Sequence, residues 1–282
     1  MLNRISRYFT TIILLLTVPT AFAAGSGGEC LPISETPFVI SDPGRYCLTM
    51  DLKASMPNGK AIWVKSNDVT LDFRHYSLSN ALARLGNTAY GVYANGRSNI
   101  KVYNGELSGW GTGVRFVGLQ TMGNTISDMK FDSIRWKGID AEGTGLGISN
   151  NRFTRIGGSA AMVDAYAIDI QGMSPRVTHN SIFGVMANNG NGSAYGTRLR
   201  MTTNPIYEDN TLDTLNGDKI GLGVGLKLDG TVNAIIVNTK YQTCDTAIAL
   251  ENDSTALLKD TLITDCDTTV SGFGAIFVGF NY

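Results

Sequence analysis

Histidine is nearly missing from this chain, with two in 282 residues, His75 and His179. So few leave no histidine cluster for a metal and argue against histidine acid–base catalysis. Cysteine is held to four positions, none at metal-ligand spacing. Charge is sparse and balanced, 17% of residues with a net of −1. Such a chain has no bulk electrostatic claim on nucleic acid. Long apolar runs are missing too. The centre of the best one is Ile12-Ile13-Leu14-Leu15-Leu16, and it falls short of the about 20 residues a membrane span needs. Helical periodicity is absent from the rest.

What is present is a nine-residue phrase: apolar, any, Asn or Asp, any, any, apolar, any, any, apolar. Copies begin at Val102, Ile126, Ile148, Val177, Tyr207, Ile236 and Leu258, 22 to 30 residues apart. That period signals stacked units, each too small to bury its own apolar face. Position three holds Asn104, Asp128, Asn150, His179, Asp209, Asn238 and Asp260. Position six holds Leu107, Phe131, Phe153, Ile182, Leu212, Tyr241 and Ile263. Asn and Asp tolerate left-handed backbone, so the phrase predicts two short strands meeting at a corner. In register, the corner side chains would also bond along their column. His179 sits at such a corner and His75 in an early strand, and both are read as structural.

A second phrase precedes each copy: a small residue, then apolar, outward, apolar. Gly113-Val114-Arg115-Phe116, Gly138-Ile139-Asp140-Ala141 and Ala167-Ile168-Asp169-Ile170 are examples. Ala61-Ile62-Trp63-Val64 fits as the first copy and Ala275-Ile276-Phe277-Val278 as the last. Alternation of period two is that of a strand with one buried face. Three short strands per unit describe a coil of a parallel β-helix: all-β, a solenoid of about nine coils, roughly 40 Å long at about 4.8 Å per coil.

The ends read differently. Arg4 and Arg7, the apolar run and Ala21-Phe22-Ala23 make residues 1–23 a secretory signal peptide. Export would leave 21 basic against 24 acidic residues and would place the chain in the periplasm or outside the cell. Residues 24–60 read as an N-terminal cap and lead-in, and 61–282 as the β-helix. Oxidising surroundings permit disulfides. Cys244 and Cys266 share one phrase position in successive coils, close enough to bridge. Cys30 and Cys47 flank Pro32, Pro37 and Pro43 and would staple the cap. The aromatic C-terminus, Phe273, Phe277, Phe280 and Tyr282, would close the last coil.

Stacking turns distant residues into neighbours. One outward column reads Trp63, Tyr93, Arg115, Asp140, Asp169, Arg198, Lys227, Ala249. Its parallel reads Lys65, Asn95, Val117, Glu142, Gln171, Arg200, Asp229, Glu251. Three glycine- and asparagine-rich connections, 157–165, 186–194 and 216–224, should stack into a wall beside Asp169, Arg198 and Lys227.

The coil pattern and Asn/Asp corner over residues 61–278 resemble the pectin-lyase-like superfamily of right-handed parallel β-helices. That resemblance implies a polysaccharide site on the outward face of the small-apolar strands. It also implies action on acidic polysaccharides by elimination, hydrolysis or epimerisation. The chain departs from the better-known enzymes. It has no Asn-Thr-Asp, Asp-Asp or Gly-His-Gly run of polygalacturonases and no Asp-Pro-His-Asp of alginate epimerases.

On this reading Arg198, Arg200, Lys227 and Asp169 are the candidate catalytic residues, with Trp63, Tyr93 and Arg115 binding sugar. Asp140, Glu142 and Asp169 would hold Ca²⁺; no organic cofactor is expected. A lyase is favoured over a hydrolase, which would need two carboxylates with one protonated. The same charges also read as a salt-bridge ladder contributing roughly 0.2–1 kcal/mol per pair. The alternative function is a non-catalytic surface or matrix protein. The expected state is a monomer without transmembrane span or nucleic-acid partner.

Overall fold

The computed structural model describes residues 30–188 and 190–278. The expected signal peptide and the aromatic residues Phe280 and Tyr282 lie outside them. Among the described residues there is no helix, and every strand pairing is parallel, in a sheet of 26 short strands. No helix is therefore long and apolar enough to cross a membrane. The chain winds as a β-helix with three faces per coil.

The register is the one the repeats predict. Trp63 pairs with Tyr93, Arg115 with Asp140, Asp140 with Asp169, Asp169 with Arg198 and Arg198 with Lys227. Position six stacks as Leu107, Phe131, Phe153, Ile182, Leu212 and Tyr241, each with no exposed surface. Phe131 and Phe153 lie face to face with ring centroids 4.7 Å apart. The small residue of the second phrase follows from this column. A Cβ at Gly138 would stand 2.5 Å from the Ala167 carbonyl oxygen and 2.8 Å from the Phe153 ring.

All seven position-three residues have left-handed backbone, from φ 48° at Asn238 to φ 67° at Asn104. Position eight is a second such corner, which the phrase leaves unspecified: Gly109, Ser133, Arg155, Gly184, Thr214, Thr243 and Asp265 all have positive φ. The bonded column also extends beyond position three. Asn238 does donate to Asp209, and His179 pairs with Asp209 at 3.2 Å. The buried ladder, however, runs through position four. Asn151 Nδ2 donates to Asn180 Oδ1 and Asn180 Nδ2 to Asn210 Oδ1, both at 3.0 Å. Each of these three amides also donates to a carbonyl, of Ile126, Ile148 and Val177 in turn. Asn180 Oδ1 and Asn210 Oδ1 also accept the backbone N–H of Asn151 and of Asn180, at 3.0 and 2.9 Å, groups that the corner takes out of the strand ladder.

Three expectations change. Ala275–Val278 pairs with Ala256–Lys259, so it continues the first strand of the nine-residue phrase. The last small-apolar strand is instead around Val270, which pairs with Ile248. Period-two alternation is the same on both faces and does not say which one a strand joins. His75 lies at a turn with φ 64°, not in a strand. The lead-in segment is already part of the stack: Phe38–Ile40 pairs with Ile62, Trp63 and Val64. Cys30–Cys47 and Cys244–Cys266 are both disulfides, with Cα atoms 5.7 and 4.5 Å apart.

The ladder makes a contrast measurable by thermal unfolding. Asn180→Ala leaves the buried Asn151 N–H without its acceptor and breaks the side-chain ladder on both sides, and should cost about 1–3 kcal/mol. Asn150→Gly, one residue before the ladder at a left-handed corner, should be near neutral. Equal melting temperatures for the two variants would refute the ladder's role.

Candidate binding face

The outward face of Thr112–Val117, Lys137–Glu142, Ala165–Met173 and Ala194–Thr203 gathers the charged groups. At its centre is Asp169, with no exposed surface. Arg198 grips it with two bonds, Nε to Oδ1 at 3.0 Å and Nη2 to Oδ2 at 2.7 Å. Arg200 Nε adds a third at 2.9 Å and Lys137 Nζ a fourth at 2.6 Å. Burial alone would push the Asp169 carboxyl up. The Arg198 bonds and the charges of Lys137, Arg198 and Arg200 outweigh it and hold the group at about 2.

Asp140, 1% exposed, lies one coil earlier. It is in ion-pair contact with Arg115, and Lys137 Nζ stands 3.3 Å and Arg200 3.8 Å away. Both of its oxygens are buried against these cations. Lys137 thus bridges the two aspartates. Burial lowers the pKa of its ammonium and Arg198 and Arg200 lower it further, while Asp169 opposes the shift.

Four cations, Arg115, Lys137, Arg198 and Arg200, therefore surround two buried carboxylates. Two more residues frame them. Tyr166 lies under the Arg198 guanidinium, 4.4 Å from ring centroid to carbon, and stacks on Tyr195 at 4.8 Å. Burial raises the Tyr166 hydroxyl well above its ordinary range, so it stays a neutral donor, to Asp164 at 3.0 Å. Asp164 also accepts from the Ser193 N–H, and Ala187 N–H donates to Asn216, so the three connections do stack as a wall.

The expected residues divide accordingly. Arg115, Asp140, Asp169, Arg198 and Arg200 come together. Lys227 is turned away to Glu251, 2.9 Å distant. Glu142 accepts from the Gly118 N–H at 3.0 Å. Trp63 and Tyr93 lie toward the N-terminal end, where Lys60 Nζ sits 4.0 Å from the Trp63 centroid and 4.4 Å from that of Tyr93. Lys137, Tyr166, Tyr195, Tyr90 and Lys60 are additions. They form one column, the residue just before the small one, in which Lys137 pairs with Tyr166 and Tyr166 with Tyr195. A Lys or Tyr recurring there was a usable sequence signal.

Calcium does not fit its expected site. The ion takes six to eight oxygen ligands, but both Asp169 oxygens are already taken by Arg198, Arg200 and Lys137. Glu142 is engaged elsewhere, and among the described residues no three acidic, histidine or cysteine side chains converge as a metal site. Protein cations occupy the position that calcium was expected to hold.

The model of a right-handed β-helix region matches residues 115–281, more than half of the chain. The chain belongs to the right-handed β-helix family. Among solved structures, this β-helix chain is similar to the catalytic domain of a GH87 α-1,3-glucanase in complex with nigerose. The identity is 11% over 89% of this chain and 63% of that one, with a TM-score of 0.48. It is also similar to an alginate lyase from Paenibacillus sp. str. FPU-7, 11% identical over 83% and 93%, TM-score 0.43. A third is endopolygalacturonase I from Stereum purpureum, 9% identical over 90% and 93%, TM-score 0.43. The β-helix chain thus spans less than two thirds of the glucanase domain. The likeness stops at the fold. No curated protein matches the chain in sequence.

Asp169 makes the cluster a source of acid sensitivity. Its folded pKa lies below the ordinary 3.8, so its contribution is present above about 4 and is lost as pH falls toward 2. Asp169→Asn should flatten that limb of the stability curve. Asp169→Ala should cost about 3–5 kcal/mol, because three cations lose their counter-charge. Arg198→Ala should also destabilise, although its position is outward, since it uncovers a buried carboxylate. An unchanged melting temperature in both alanine variants would show the cluster to be energetically idle.

Proposed function

We propose that this face binds an acidic polysaccharide, a uronate-containing chain, outside the cytoplasm. The carrying observation is the excess of cations over carboxylates on this partly desolvated face, bordered by the stacked connections. Asp140 and Asp169 would repel a polyanion if bare, but four cations more than neutralise them. Arg115, Arg198 and Arg200 remain about one-quarter exposed or less, with side-chain exposures of 26, 20 and 22%. A guanidinium fork suits a carboxylate. The two disulfides accord with export to an oxidising compartment, and the chain acts as a monomer on this reading.

If the face is catalytic, elimination suits it better than hydrolysis. Hydrolysis needs one carboxyl group protonated near neutral pH, and Asp169 is held at about 2. In elimination a base removes the proton alpha to the uronate carboxylate, charge moves into that carboxylate, and the bond to the leaving glycosidic oxygen breaks. Arginine beside the carboxylate stabilises the charge.

A panel of uronate and neutral polysaccharides, with and without a chelator, tests this. Uronate chains should bind, binding should weaken with salt, and the chelator should change nothing. Ultraviolet absorbance from unsaturated uronate would mark elimination; reducing ends alone would mark hydrolysis. Arg198→Lys keeps a charge over Asp169 but loses the fork, and should lower affinity about tenfold, roughly 1.4 kcal/mol, with the fold retained. Equal affinity for neutral and uronate chains would refute the reading.

A further inference from the structure

Away from the Asp169 cluster, the same face carries a second cationic group built differently. Lys60 Nζ is seated between Trp63 and Tyr93, at 4.0 and 4.4 Å from their ring centroids. Lys65 Nζ stands 3.9 Å from the Trp63 centroid. Tyr90 supports the group, its ring 5.3 Å from that of Tyr93. Trp63, Tyr90 and Tyr93 are half-buried and Lys65 is exposed. Among the described residues neither lysine has a carboxylate within ion-pair reach, unlike Lys130, Lys137 and Lys227, which do. The rings hold both ammoniums in place by cation–π attraction and leave their charge uncompensated. Flexible surface lysines are otherwise disordered point charges with no fixed geometry.

Register places this group on the ligand track. Trp63 stacks on Tyr93, Tyr93 on Arg115, Arg115 on Asp140 and Asp140 on Asp169. Four coil steps of about 4.8 Å separate Trp63 from Asp169, roughly 19 Å in all. Arg115 stands between them, paired with Asp140 and with 26% of its side chain exposed. We infer that Lys60 and Lys65, fixed on Trp63 and Tyr93, form a second anion-binding end of the face, so that the protein reads a polyanionic chain long enough to touch both ends. This rests on the reading of the Asp169 cluster as a uronate site.

The length requirement follows from linkage. A chain held at one end meets the other at high effective concentration, and one too short to span gains nothing. Digalacturonate cannot reach from Trp63 to Asp169, whereas octagalacturonate can.

The test is calorimetric titration of both oligomers into wild type, the Lys60→Ala/Lys65→Ala double variant and Arg198→Lys. Neither lysine lies in the core or in an ion pair, so the double variant should melt as wild type, which is checked alongside. Octagalacturonate should bind wild type at least about tenfold more tightly than digalacturonate. The double variant should lose that gain and bind both oligomers alike, while Arg198→Lys should weaken both. Octagalacturonate binding that is unchanged in the double variant would overturn the second end and leave the Asp169 site standing. Loss in the double variant with none in Arg198→Lys would put the anion site at the lysines alone and overturn the two-ended track. Wild type that binds neither oligomer would refute the uronate reading itself, and this inference with it.

Discussion

Backbone pairing between successive coils is the constraint on which everything else in this molecule depends. Each strand bonds in parallel to the one a coil away, so every residue acquires fixed neighbours above and below. Inward positions must then form continuous apolar columns, such as the one from Leu107 to Tyr241. Corners must recur at the same place, and their stranded amides need partners of their own, which Asn151, Asn180 and Asn210 supply to one another. Outward positions inherit the same register without the same chemistry. That freedom allowed Arg115, Asp140, Asp169 and Arg198 to become a single cluster from four separate coils.

The cluster shows how a rigid scaffold changes the behaviour of ordinary groups. A lone aspartate on a strand surface would be solvated. Asp169 is instead buried by the side chains that neutralise it, and its four hydrogen bonds keep it an anion down to about pH 2. Asp140 has similar neighbours, in ion-pair contact with Arg115 and with Lys137 and Arg200 close by. Two identical side chains one step apart thus serve as internal counter-ions, Asp169 through four hydrogen bonds and Asp140 through charge contacts.

Much of this was legible in the sequence, for identifiable reasons. Asn or Asp marked the first corner because few other residues accept left-handed backbone. The second corner was not legible, because Arg155, Thr214 and Thr243 adopt it under the pull of the surrounding pairing. Alternation gave the outward columns correctly but could not say that Asp140 and Asp169 are covered. Their cover comes from Arg115, Arg198 and Arg200 and from Lys137, one residue ahead of the small-apolar phrase. The phrase marks the bonded column at position three but not the buried ladder at position four, because Asn150-Asn151 and its equivalents offer two polar side chains. Only the coil geometry decides which of them turns inward.

The same register makes distance along the face a digital quantity. Between the Trp63 group and Asp169 the chain passes through whole coils, and no loop can stretch or shorten that interval by a fraction. Lineages derived from this scaffold could alter the separation only by gaining or losing an entire repeat of some 22 to 30 residues. Such a change would leave the core columns unbroken, since each new coil would bring its own inward residues. Spacing here evolves by duplication of a unit, and point substitution can only relabel the marks on the ruler.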